Sequence, residues 1–124
     1  MSFFANGNIP INSTFASVNN PSTATLLAEL ESTNFAPNPR SPARIYAVYA
    51  YLGGSTGAAW VVESATSTAL ASSVDRFFVR TASGQTSQFV FKFRLTATTD
   101  RIRVRHASTV TGDFEAKLSA EELA

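Results

Sequence analysis

Gly53-Gly54-Ser55-Thr56-Gly57 carries the G-x-S-x-G spacing of a nucleophile elbow, and Asp75 or Asp100 and then His106 come later in hydrolase order. The chemistry would be acyl transfer, with the serine hydroxyl attacking a carbonyl, the histidine taking its proton and the aspartate orienting the ring. That geometry needs a strand, a sharp turn and a helix within a parallel sheet flanked by helices. In this chain the motif runs instead into Ala58-Ala59-Trp60-Val61-Val62, an apolar run with strand character. A glycine-rich loop between two antiparallel strands explains the same residues. No catalytic residue is therefore assigned, and the chain is read as not an enzyme.

The remaining titratable groups do not assemble another reaction centre. His106 is the only histidine and there are no cysteines, so a metal site lacks its usual nitrogen and thiolate ligands, and disulfides are excluded. By strand alternation His106 lies on the Phe91 side, as a structural histidine hydrogen-bonded near the edge of the core. Glu29, Glu31, Glu63, Asp75, Asp100, Asp113, Glu115, Glu121 and Glu122 form neither an acid/base pair legible in sequence nor an Asp-rich calcium loop. No cofactor or metal is expected.

Charge is informative about partners. Lys92, Arg94, Arg101, Arg103 and Arg105 make up five of the ten basic residues, on two runs that alternate apolar and polar residues. The short break Ala97-Thr98-Thr99-Asp100 suggests a hairpin with Leu95 opposite Ile102, Phe93 opposite Val104 and Phe91 opposite His106. That register stacks the five cations on the outer face, where like charges directly opposite are destabilising. A nucleic-acid surface would need stacking aromatics beside the cations, yet Phe89, Phe91 and Phe93 point to the other face. Four of the nine acids, Asp113, Glu115, Glu121 and Glu122, lie near the C-terminus. They supply counter-charges within a sheet or between subunits. A second surface candidate is aromatic: Tyr46, Tyr49, Tyr51 and Trp60 form a possible sugar-stacking platform, with Tyr49 and Tyr51 on one face of their strand and Tyr46 on the other.

The elements that must position these groups are strands. At 124 residues the chain is one domain. It is 44% apolar but only 15% charged, with a net charge of +1, which gives no global electrostatic case for nucleic acid or anionic membrane. No apolar run reaches the ~20 residues that span a bilayer, and the N-terminus lacks the basic and apolar regions of a secretory signal. Strand-like runs recur at Arg44 to Leu52, Ala58 to Ser64, Asp75 to Thr81, Thr86 to Thr96, Asp100 to Ser108 and Gly112 to Ser119, separated by Gly, Ser and Thr. This pattern predicts an all-β fold, an antiparallel β-sandwich of jelly-roll type, over residues 44–119. Ser119-Ala120-Glu121-Glu122 reads as a capping box for one helical turn in the tail 120–124.

Ahead of the core, residues 1–24 read as an extended arm; positions 1 to 28 carry no charged side chain but include Phe3, Phe4, Ile9, Ile11, Phe15 and Val18. Residues 25–43 hold an ambiguous element followed by a connector with three of the five prolines. Leu26, Ala28 and Leu30 alternate as in a strand, whereas Leu26, Leu27 and Leu30 also suit a helical face; flanking Thr, Ser and Asn tip the reading to strand.

A cysteine-free sandwich with a charge-free arm, a Pro-rich connector, hydroxyl-rich loops and segregated charge resembles the small jelly-roll structural proteins of virus particles, in particular phage head decoration or cement proteins. The resemblance implies a homotrimer on the capsid surface, made in the host cytoplasm and bound to a larger shell protein. Phe3, Phe4, Ile9 and Ile11 would anchor the arm, and Lys92, Arg94, Arg101, Arg103 and Arg105 would meet acids of a neighbour. The competing reading is a carbohydrate- or receptor-binding sandwich of fibre-tip or lectin type.

Overall fold

The alternation of the sequence is realised as strands throughout the computed structural model, which describes residues 11–12, 16–19, 25, 27–31, 44–96, 98 and 101–123. The strands are β1 (Ile11–Asn12), β2 (Ala16–Asn19), β3 (Ala28–Glu31), β4 (Arg44–Gly54), β5 (Ala58–Ala65), β6 (Ser73–Thr81), β7 (Thr86–Leu95), β8 (Arg101–His106) and β9 (Asp113–Glu122). A 3-10 turn, Leu70–Ser72, lies in the β5–β6 connection. Two antiparallel sheets face each other. One has the order β1-β9-β4-β7, with β2 beside β1 on the same edge of β9, and the other has the order β3-β8-β5-β6. Among the described residues no helix is long and apolar enough to cross a membrane.

The inner faces supply the core: Tyr46, Leu52, Trp60, Phe93, Leu95, Ile102, Phe114 and Leu118 are all buried. At ~25 cal/mol per Å² of apolar surface, such burial is the main term holding the two layers together. Trp60 keeps its polar atom satisfied, its indole N–H donating to the Thr81 hydroxyl at 2.8 Å. Phe77, Phe89 and Phe91 continue the core to the open side between β6 and β7, where Phe77 and Phe91 stack at 4.9 Å.

Three expectations are corrected. β7 and β8 do not form a hairpin: β7 pairs with β4 and lies in one sheet, while β8 lies between β3 and β5 in the other. Phe93 and Leu95 therefore share the core with Ile102 and Val104 from opposite layers rather than pairing beside them. This arrangement removes the stacked cations that the hairpin would have imposed, because β3 and β5 bring Glu29 and Glu63 beside the arginines of β8. Second, Ser119–Glu122 continues β9 instead of turning into helix, pairing Tyr46 with Glu122 and Ala47 with Glu121. One isolated turn cannot offset its nucleation cost, whereas Leu118 and Ala120 keep the strand's inward alternation. Third, His106 is not hydrogen-bonded at the core edge but buried within it.

The ambiguous element over residues 25 to 34 is a strand at β3. Ile11 is placed opposite Ala120, so this part of the N-terminal segment extends the chain's own sheet. Phe3, Phe4, Ile9 and the proline-rich connector lie outside the described residues.

Candidate functional site

The outer face of the β1-β9-β4-β7 sheet carries the aromatic candidates. Residues facing away from the core on β4 are Ile45, Ala47, Tyr49, Tyr51 and Gly53, and antiparallel register sets their neighbours in rows. Tyr51 lies between Gln88 and Lys117, Tyr49 between Val90 and Ser119, and Ala47 between Lys92 and Glu121. Tyr51 is 37% exposed, Ile45 and Val90 are more exposed still, and Tyr49 is half-buried. The Tyr49 hydroxyl donates to Glu121 Oε1 at 2.6 Å, diagonally across the strands. That bond pushes the phenol's pKa up from its ordinary value, and burial and the Glu121 charge act in the same sense. The ring is thereby fixed in place.

Beyond Tyr51 the strip runs into a hollow of about 340 Å³ at the end of the sheet, lined by Ser55, Gln85, Thr86, Asp113 and Glu115 among others. Gly53 forms the threshold, since a Cβ there would lie 2.6 Å from Thr86 Oγ1 and 2.7 Å from the Gln85 carbonyl. The site is thus an aromatic strip two residue rows long, Tyr49 and Tyr51, that opens into a polar depression.

The other aromatic candidates are elsewhere. Tyr46 and Trp60 are buried in the core, Tyr46 on the face of β4 opposite Tyr49 and Tyr51 and Trp60 facing inward from β5. Two tyrosines and not four face solvent on this strip.

The basic stripe is split between the sheets. Lys92 and Arg94 are exposed on β7. Arg101, Arg103 and Arg105 stand on the outer face of β8, in the other sheet, where Glu29 and Glu63 supply counter-charges. Glu63 accepts Arg103 Nε at 2.7 Å, Arg105 Nε at 3.2 Å and Arg76 Nε at 3.1 Å, and Arg101 Nη1 reaches Glu29 at 2.9 Å. Burial alone would push the Glu63 carboxyl up; the hydrogen bonds and charges of Arg105 and Arg103 outweigh it and hold the carboxyl below its ordinary value. Arg103 is fully buried because the β5–β6 connection folds over it. Its Nη1 donates to the carbonyls of Ser67 and Thr68 at 3.2 and 3.4 Å, and its Nη2 to those of Ala69 and Leu70 at the same two distances. This cluster fixes a loop and leaves no guanidinium edge of Arg103 for a neighbour.

The serine-histidine arrangement does not form. Ser55 stands on the connection that crosses from β4 in one sheet to β5 in the other, not in a turn between two paired antiparallel strands as the glycine-rich spacing suggested, and no helix follows it. Its hydroxyl accepts the Asp113 N–H at 3.0 Å while its own N–H donates to the Asp113 carbonyl at 2.9 Å, a clamp between two loops. His106 lies between Trp60 and Phe114, with ring centroids at 4.0 and 4.5 Å, and neither of its nitrogens makes a hydrogen bond of good geometry. Burial pushes its pKa down from the ordinary value, and the opposing pull of the Ala59 carbonyl, which already accepts the Ala107 N–H, is smaller. Among the described residues no group of three His, Cys, Asp or Glu side chains could hold a metal ion.

Sequence reading passed over three residues that matter here. Gln88 and Lys117 are ordinary polar positions until register places them on either side of Tyr51. Glu63 had a visible signal, as a lone carboxylate inside the apolar run Trp60 to Ala65, where an unpaired charge would be costly.

No protein-family model matches the chain, and no curated protein matches its sequence. Solved structures do share its fold. The CBM22-1–GH10 modules of Clostridium thermocellum endo-1,4-β-D-xylanase 10B, complexed with xylohexaose, align with a TM-score of 0.56 at 12% identity over 93% of this chain. The chain spans about a quarter (26%) of that structure's length. The CBM1 module of BiXyn10A in its apo form gives a TM-score of 0.54 at 9% identity, covering 89% of this chain and 80% of that one. The C-terminal family 22 carbohydrate-binding module of Clostridium thermocellum Xyn10B gives 0.53 at 11% identity, covering 98% and 90%. These likenesses establish a shared β-sandwich fold.

Proposed function

We propose that this chain is a non-catalytic carbohydrate-binding module whose ligand lies along β4 on the outer face of the β1-β9-β4-β7 sheet. The observation that carries the reading is Tyr51, exposed beside a Tyr49 that Glu121 holds still, with Gln88 and Lys117 in the Tyr51 row and Ser119 in the Tyr49 row. A sugar ring presents a C–H face and a rim of hydroxyls. Tyrosine supplies a rigid apolar body for the first, and amide, ammonium and hydroxyl groups supply donors and acceptors for the second. An open strip suits a stretch of polymer better than an enclosed small molecule. The sandwich fold shared with carbohydrate-binding modules supports the reading by analogy of fold. The capsid setting draws no comparable support, and none of those three similar structures is a decoration protein.

The test is titration calorimetry with xylohexaose and a panel of soluble neutral and acidic glycans. Tyr51→Ala should weaken binding about three- to tenfold, the range of one aromatic contact. Trp60→Ala is unsuited as a probe because it empties the core. A panel with no binder, or an unchanged affinity in Tyr51→Ala, would sink the proposal.

A second reading, self-association, is favoured by one observation: Phe78 is 65% and Val74 57% exposed on β6, an edge strand of its sheet among the described residues. Native mass spectrometry should then show an oligomer that Phe78→Ser dissociates. A monomer at all concentrations would remove it.

A further inference from the structure

We infer that the glycan is acidic, with a uronate carboxylate read by Lys92 and Arg94; this rests on the carbohydrate reading of the tyrosine strip. The two side chains leave β7 on the same outward face, two residues apart, at ~6.8 Å along the strand. They adjoin Ala47 and Ile45, one and two rows from Tyr49. Both are exposed, and among the described residues neither is held by an ion pair or hydrogen bond. The carboxylate in Lys92's own row is Glu121, beyond Ala47, and its Oε1 is occupied by the Tyr49 hydroxyl.

Charge is thus sorted along the tyrosine strip. Lys92 and Arg94 stand at its Ile45 end, where Glu121 is turned to Tyr49, Lys117 stands beside Tyr51, and Asp113 and Glu115 line the hollow at its Gly53 end. The order fixes an orientation. A polymer stacked on Tyr49 and Tyr51 meets cations with its carboxylate at one end and must present an uncharged sugar to the carboxylates at the other. The Ala47 position keeps the path between them low, since no long side chain rises between Tyr49 and Lys92 in that row.

The test compares acidic polymers with their own neutralised forms: polygalacturonate against its methyl ester, and glucuronoxylan against carboxyl-reduced glucuronoxylan, by titration calorimetry at low and moderate salt. The free acid of whichever backbone binds should bind about three- to tenfold tighter at low salt, the scale of two exposed charge pairs. That advantage should shrink at about 0.3 M salt, and the double variant Lys92→Gln, Arg94→Gln should lose most of it, Lys117 beside Tyr51 being left in place. Equal affinity of the wild-type chain for both forms would overturn this inference and leave the carbohydrate reading standing. Equal binding of heparin and polyphosphate would overturn it too, by showing a general polyanion surface. Binding to neither member of either pair, nor to the neutral panel, would overturn both readings.

Discussion

Replacing Arg103 with methionine tests the physical account of the β3-β8-β5-β6 sheet most directly. The guanidinium donates to Glu63 at 2.7 Å and to four consecutive loop carbonyls between 3.2 and 3.4 Å, and the side chain is fully buried. Methionine keeps much of the stem's packing and removes the charge and every donor. Glu63 is not orphaned, because Arg105 and Arg76 remain on it. The carbonyls of Thr68, Ala69 and Leu70 belong to exposed residues and can turn to water. The loss therefore belongs at the low end of the ~3–5 kcal/mol range for breaking a buried ion pair. Unfolding entropy of ~2.1 cal/mol/K per residue gives roughly 0.26 kcal/mol/K for a chain of this length, so ~3 kcal/mol lowers Tm by about 11 °C. The assay is thermal unfolding by circular dichroism, with hydrogen exchange read at Thr66, Ser67 and Ser72, whose amides are bonded within the β5–β6 connection. Their exchange should accelerate at least about tenfold while that of β4 follows only the global change. A Tm shift under about 3 °C, or unchanged protection of those amides relative to β4, would refute the claim that Arg103 organises this loop.

Two further outcomes rest on buried titratable groups, and a third on the core indole. The His106 pKa lies below the ordinary 6.5, so the unfolded chain takes up a proton at higher pH than the folded one. Stability is then fully present above about pH 6.5 and falls as the pH drops below it, and His106→Phe should flatten that part of a Tm-against-pH curve; an unaltered slope would contradict it. Glu63, held below its ordinary 4.5, loses its contribution only as the pH falls below that value, so Glu63→Gln should alter the more acidic limb instead. Trp60→Phe removes the indole N–H bond to Thr81 and part of a fully buried ring. Urea denaturation should show a loss of about 2–3 kcal/mol with an unchanged slope. A loss below about 1 kcal/mol would mean that the bond and the packing are both slack.

Alternation was legible wherever one face of a strand is buried and the other is wet. Gln88 to Leu95 announces its inward Phe93 and Leu95 and its outward Lys92 and Arg94 without reference to any partner. The same periodicity placed Tyr49 and Tyr51 on one face and Tyr46 on the other, so the candidate strip was half visible before any fold was known. Pairing was not visible. The break at residues 97–100 is short enough for a hairpin, and nothing local distinguishes a turn within one sheet from a crossing to the other. The choice was made at long range, by an eleven-residue β4 that pairs with β7 and by Glu29 and Glu63 meeting the arginines of β8.

Composition and period thus determine by themselves that this chain is a β-sandwich and which side of strands such as β4, β7 and β9 faces the core, because burial of apolar side chains acts residue by residue. Tertiary structure alone decided that Ser55 is a loop clamp, that His106 is enclosed between aromatic rings, and that Arg103 is spent on its own loop. It also decided that Tyr51, Gln88 and Lys117 share a row. Those outcomes depend on which strands lie side by side, and antiparallel register joins residues that are tens of positions apart in the chain.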